Sequence, residues 1–172
     1  MVRLLGMLWL CFTVATVHAK DLTGSLFPTY KLQNQNGDWV SNKNYEGHWV
    51  AYYFYPKDHT PGCSKETTNF AQQYEQMKKQ GLEVVGVSLD SVESHLSFAK
   101  DYKVKFSLLA DVDKALSSKL DMVRYLPWPH TRRETLLVDD KGNIVKHYES
   151  VDPDTHTQTL FDDYLAIKKS LQ

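Results

Sequence analysis

The residues able to do chemistry concentrate in one stretch, Tyr53-Phe54-Tyr55-Pro56-Lys57-Asp58-His59-Thr60-Pro61-Gly62-Cys63-Ser64-Lys65-Glu66. Cys63 sits where a loop leaves an apolar run and a segment with helical spacing begins. The first N–H groups of a helix have no internal partner, and the helix dipole favours negative charge there, so such a position stabilises a thiolate over a thiol. Gly62 lets the backbone approach closely. Pro56 and Pro61 stiffen the loop and hold its N–H groups in place. Thr60 sets a hydroxyl three residues before the sulfur, able to accept or donate a hydrogen bond to an oxygen held beside it. The chemistry on offer is nucleophilic attack by sulfur.

The chain has two cysteines, and the other, Cys11, lies in a segment that reads as a leader. Arg3 precedes an uncharged apolar stretch from Leu4 to Val17, and Val17-His18-Ala19 supplies suitable residues for cleavage before Lys20. The stretch is shorter than the ~20 apolar residues that span a bilayer. Leu10 before Cys11 is a poor match to a lipid-modification site. Residues 1–19 are therefore expected to be a cleaved signal peptide and residues 20–172 a single domain. The protein is then exported, periplasmic if bacterial and otherwise secreted, with no membrane attachment after cleavage. A lone thiol in an oxidising compartment is a liability unless it is buried or used. A buried small hydrophobe is the plain alternative for Cys63, and its surroundings favour use.

A coarse pass supplies the elements that must position this thiol. Tyr30–Gln33 and Trp39–Val40 flank an Asn-Gly turn and read as a hairpin. Trp49–Tyr55 is a continuous apolar and aromatic run, as in a strand buried on both faces. Cys63, Thr67, Phe70, Ala71, Tyr74 and Met77 fall at helical spacing, ended by Gly81. Leu82–Leu89 reads as a second buried strand. Ser91 can cap a helix with Val92, Leu96 and Ala99 inward. Phe106–Ala110 reads as a third strand, and Asp111 as the cap of a short helix with Leu116 and Leu120. Thr135–Val138 and Asn143–Tyr148 form a late hairpin. A final helix carries Leu160, Tyr164, Ile167 and Leu171 on one face. The fold class is α/β, a central mixed β-sheet flanked by α-helices.

The active stretch resembles the peroxiredoxins, whose hallmark is Pro, three residues, Thr or Ser, two residues, Cys; here these are Pro56, Thr60 and Cys63. Tyr53–Glu66 is similar to the peroxiredoxin Q group, also called bacterioferritin comigratory protein. Phe106–Asp111 and Thr135–Asp139 match later strands of that group, and the likeness runs through residues 26–171. It implies a thioredoxin-like fold and a thiol peroxidase acting on hydrogen peroxide and organic hydroperoxides through a sulfenic acid at Cys63. It also implies an arginine brought in from a distant strand. Arg133 matches that position, to hold the thiolate and polarise the peroxide, while Arg132 is expected to point elsewhere as a solvated loop charge. No metal, flavin, haem or other cofactor is implied.

Many members of the group carry a resolving cysteine five positions after the first, where this chain has Thr68. An external thiol reductant, a thioredoxin-like protein or a small thiol, is then the expected partner. Monomer or weak dimer is expected. Lys+Arg total 20 against 21 Asp+Glu, which gives no electrostatic reason to expect nucleic acid. A thiol–disulfide oxidoreductase would need a second cysteine near Cys63, and Cys63-Ser64-Lys65-Glu66 lacks it. A non-catalytic binding protein would not need Thr60 and Arg133. His59 and Trp128 read as loop and packing residues, with Trp128 able to wall the site near Arg133, and the seven histidines form no metal-ligand spacing.

Overall fold

The computed structural model describes residues 21–171, so the expected leader lies outside the described residues. The elements run β1 (Lys31–Asn34), β2 (Trp39–Ser41), β3 (Trp49–Phe54), α1 (Pro61–Lys79), β4 (Leu82–Ser88), α2 (Val92–Asp101), β5 (Ser107–Ala110), β6 (Val123–Arg124), β7 (His130–Thr131), β8 (Glu134–Val138), β9 (Ile144–Tyr148) and α3 (His156–Ser170). Seven strands form one sheet in the order β2-β1-β5-β4-β3-β8-β9. β3, β4 and β5 are parallel neighbours joined through α1 and α2, while β8 pairs antiparallel with β3. The sheet is mixed, as its order of strands and helices predicts.

The central strand divides the core between the two faces by its period of two. Trp49, Ala51, Tyr53 and Tyr55 pack with Phe70 of α1, Phe98 of α2 and Leu160 of α3. Val50, Tyr52 and Phe54 pack on the other face with Phe27, Tyr30, Leu116, Leu120 and Met122. All six β3 residues are buried, which explains the unbroken apolar run. Tyr53 crosses its parallel neighbour at Gly86, where an added Cβ would come within 2.8 Å of the Tyr53 ring and 2.7 Å of Leu108. Only glycine admits the ring there.

Three local expectations need correction. The inward face of α2 is His95, Phe98 and Ala99, and Leu96 is exposed. His95 is buried because its ring nitrogens find partners inside. Residues 111–122 form a run of turns, not a helix, although Asp111 does act as the cap: its carboxylate accepts from the Leu116 and Ser117 N–H groups. The β6–β7 ribbon was not expected, since two-residue strands carry too few positions to show a period. On α3, Leu160 and Tyr164 are buried as expected together with Phe161, while Leu171 is exposed. No helix among the described residues is long and apolar enough to cross a membrane.

Candidate active site

β3 ends at Phe54, and the chain turns through Tyr55–Thr60 before α1 begins at Pro61. Proline in the first helical turn gives up an N–H that had no helical partner, and its fixed φ suits the start of the helix. Thr60 is the N-cap residue, but its hydroxyl donates to the Lys57 carbonyl at 2.9 Å and does not cap the helix. With its proton so placed, Thr60 Oγ1 has only lone pairs left to offer a further partner. Pro56 opens the turn, where its ring fixes the backbone φ. Cys63, in the first turn of α1, is fully buried.

Arg133 comes from the residue before β8 and closes the other side. Its Nη2 donates to Cys63 Sγ at 3.2 Å, and its Nη1 donates to Glu66 Oε2. One planar guanidinium therefore binds two side chains three residues apart on α1, a geometry that suits arginine and not lysine. Burial works against the Arg133 charge, but Glu66 and Cys63 outweigh it and hold the group firmly protonated. Burial pushes the Glu66 carboxyl up to about 7, with Arg133 pulling the other way. Arg133 satisfies Oε2 alone, and Glu66 Oε1 has no hydrogen-bond partner, so half of that buried carboxyl is left unsatisfied.

Glycine at position 62 makes this approach feasible. A Cβ there would lie 3.1 Å from Arg133 Nη2, closer than ordinary van der Waals contact. The structure brings Cys63 and Arg133, both named from the sequence, within hydrogen-bonding distance, and it adds Glu66, which was not named as a site residue. The available signal was helical spacing: a residue three after Cys63 shares its face. Arg132 points away, as expected, but it is not a solvated loop charge. Its side chain is nearly buried and pairs with Glu134 at 3.3 Å and Asp121 at 3.7 Å. Its neighbours Thr131, Glu134 and Thr135 are buried, and Glu134 meets the charge there. Trp128 lies with Pro129 beside Pro56, Lys57 and Asp90 at a small cavity of about 150 Å³.

The cavity of about 520 Å³ between the β1–β2 hairpin, Tyr74, Lys78 and Glu83 lies at the other end of α1 from Cys63. The thiol itself is closed in, and Cys63 does not line that cavity. Asp21, His147 and Glu149 bring possible metal-ligating atoms within 4.8 Å of one another. His147 is already engaged there, accepting from the Leu22 N–H at Nδ1 and bonding Glu134 through Nε2.

A buried thiol at the start of the helix that follows β3, met by a guanidinium from the residue before the neighbouring strand β8, is an arrangement of the thioredoxin-like thiol peroxidases. The model of the AhpC/TSA family matches residues 23–147, and the chain belongs to that family: it is a peroxiredoxin. It is similar to the chloroplastic peroxiredoxin Q of Sedum lineare, 40% identical over 162 residues covering 91% of this chain and 83% of that protein. A solved Xanthomonas campestris bacterioferritin comigratory protein superposes with a TM-score of 0.75 at 30% identity, covering 80% of this chain and 90% of that one. The peroxidoxin BcpB of Mycobacterium tuberculosis shares the fold at a TM-score of 0.78 and 23% identity, covering 84% of this chain and 97% of that one.

Proposed function

We propose that this peroxiredoxin reduces hydrogen peroxide and organic hydroperoxides by a cycle in which Cys63 is the only redox-active sulfur. The observation that carries the reading is the 3.2 Å bond from Arg133 Nη2 to Cys63 Sγ at the start of α1. The Cys63 thiolate attacks one peroxide oxygen along the O–O axis. A sulfur lone pair forms the S–O bond, the O–O pair leaves with the second oxygen, and Arg133 meets the charge that develops there. Thr60 Oγ1 accepts the hydrogen of the hydroperoxide and orients it. The leaving alkoxide or hydroxide takes a proton to give alcohol or water, and Cys63 is left as a sulfenic acid.

Position 68 is threonine, and the other cysteine of the chain, Cys11, falls in the leader-like segment. An external thiol then attacks the sulfenic sulfur, releasing water and forming a mixed disulfide. A second thiol restores Cys63 and departs as the oxidised disulfide. The relative from Xanthomonas campestris has been described for alkyl peroxide reduction, which supports the hydroperoxide range proposed here. The plant relatives are named as chloroplastic; for this chain export is proposed instead, on the apolar run from Leu4 to Val17. The deciding experiment follows peroxide consumption with a thiol donor, using the wild-type chain and Cys63→Ser. Undiminished consumption by Cys63→Ser would reject the mechanism.

A further inference from the structure

The loop that leads to Cys63 is fastened to a helix that contributes nothing else to the site. Asp58, at its middle, is buried. Asp58 Oδ1 accepts the Tyr55 hydroxyl at 2.8 Å, and Oδ2 accepts the Ser94 hydroxyl at 2.7 Å. His95 Nδ1 lies 2.9 Å from the same Oδ2, and its Nε2 lies 3.2 Å from the Leu109 carbonyl oxygen. A carbonyl can only accept, so Nε2 carries a hydrogen. A second proton must then lie between Nδ1 and Asp58, since a bare nitrogen and a carboxylate would repel at that distance. Every polar atom of the pair is engaged: the arrangement is a satisfied buried network.

Other contacts fasten the same loop to the same side. The Asp58 N–H donates to Asp90 Oδ2 at 3.0 Å, and Asp90 in turn accepts from Ser88 Oγ. His59 takes a left-handed backbone conformation, φ 59°, and its ring packs edge-on against Phe98 and close to Tyr102, with Asp101 3.7 Å away. Such a conformation persists in a residue other than glycine when the surroundings dictate it. Burial raises the Asp58 carboxyl, but the bonds from His95, Ser94 and Tyr55 outweigh it and keep it low.

We infer that Asp58 and His95 are positioning residues for Cys63: by tying the Pro56–Thr60 loop to α2 they hold the thiol in its enclosed place against Arg133. Peroxide is small enough to react within that enclosure. A protein thiol or any bulky reagent must wait for the loop to open, because Cys63 has no exposed surface. Breaking the pair therefore acts in opposite directions on two reactions of one sulfur. The oxidation half of this inference rests on the peroxidase reading above; the enclosure half does not.

The experiment uses the full chain and measures two rates on Cys63: alkylation by a bulky maleimide at about pH 9.5, where an ordinary thiol is ionised and the rate reads access, and oxidation by hydrogen peroxide at neutral pH. Asp58→Asn and His95→Gln should each raise alkylation and lower oxidation by about tenfold, as expected for a buried pair deprived of one partner. Ser94→Ala favours the helix, keeps the fold and removes one donor, so it should raise alkylation and lower oxidation by about two- to threefold. The double variant Asp58→Asn/His95→Gln should do no more than the stronger single variant, because the two residues act as one contact. Val138→Ala, which opens a gap at the far end of β8, should leave both rates within about twofold while the chain is folded. Unchanged alkylation in folded Asp58→Asn, or in Ser94→Ala if the former does not fold, would overturn the inference. So would equal effects from Val138→Ala, or fully additive effects in the double variant. A wild-type Cys63 inert to peroxide would reject the peroxidase reading and leave the alkylation test standing.

Discussion

Cys63 and Glu66 share one cation: Arg133 gives Nη2 to the sulfur and Nη1 to the carboxylate, so the two acceptors on one face of α1 compete for a single guanidinium. The competition is set by the protonation of Glu66, which burial pushes up to about 7. When Glu66 is neutral the whole charge of Arg133 faces the thiolate and the peroxide. When it is ionised that charge is divided.

Arg133→Ala is expected to slow peroxide reduction by about 10²- to 10³-fold, the loss typical for a donor aimed at developing charge. Arg133→Lys should recover little, because an ammonium cannot bond Cys63 and Glu66 in one plane. Arg132→Ala should leave the rate constant near wild type while destabilising the fold by about 1–3 kcal/mol, since Glu134 loses a buried partner. Stopped-flow oxidation and denaturant unfolding measure the two quantities. Equal rate losses from both alanine variants would assign the role to the wrong arginine.

Gly62→Ala tests the close approach in the site. The added methyl would stand 3.1 Å from Arg133 Nη2, so the guanidinium must shift by a few tenths of an ångström. Oxidation by peroxide should slow by about tenfold, with little change in unfolding free energy, because positioning for attack is sensitive to such displacements. A full rate in the folded variant would show that the Arg133–Cys63 distance is not critical.

What was legible beforehand follows the length scale of each cause. The buried strand β3, the thiol at the start of α1 and the capping serine of α2 arise from residues close in sequence, and local patterns record them. Arg133 lies 70 positions from Cys63, and only the family resemblance placed it. Glu66, three residues after Cys63, was given no role, because nothing in its own neighbours announces burial against Arg133. His95 was passed over for a similar reason. The helical face was drawn through Val92, Leu96 and Ala99 by hydrophobicity, while the structure turns a histidine inward to meet Asp58, 37 positions earlier.

Glu66 also makes stability depend on pH. Its carboxyl is raised from 4.5 to about 7, so the folded chain binds its proton more tightly than the unfolded chain. That contribution is fully present below about pH 4.5 and is lost as pH rises through about 7, by up to about 3 kcal/mol. His156 has the opposite sign: burial lowers it to about 4, and its contribution is lost as pH falls below about 6.5. The informative quantity is therefore the difference between Glu66→Gln and wild type. From pH 4.5 to 7 the variant should gain stability relative to wild type, read from urea unfolding at each pH. A difference that stays constant across this window would mean that the Glu66 carboxyl is not raised by folding.

The leader can be tested on protein from the native host. Cleavage after Ala19 should leave Lys20 as the first residue, and intact mass spectrometry reads this directly. The cleaved chain would lack Cys11 and hold one thiol by titration. An abundant form retaining Met1 in a membrane fraction would refute export by cleavage.

The strongest consequence of the sequence is the single-cysteine cycle. One equivalent of peroxide should give a sulfenic acid on Cys63, trapped by a dimedone-type reagent and counted by intact mass. Without added thiol the chain should turn over once and then proceed to sulfinic acid in excess peroxide. Small thiols or a thioredoxin-like protein should restore turnover. Thr68→Cys tests the geometry of the missing step. Thr68 lies five residues on in the same helix and bonds the Ser64 carbonyl at 2.7 Å. Five residues of helix rise about 7.5 Å, beyond the ~7 Å between Cα atoms that a disulfide spans without backbone movement. An internal disulfide in Thr68→Cys should therefore form only as the first turns of α1 open. It should protect Cys63 from overoxidation, and α1 should lose helical signal in the oxidised form. A disulfide formed with α1 intact would contradict the helix geometry, and sustained thiol-free turnover by the wild-type chain would reject the single-cysteine cycle.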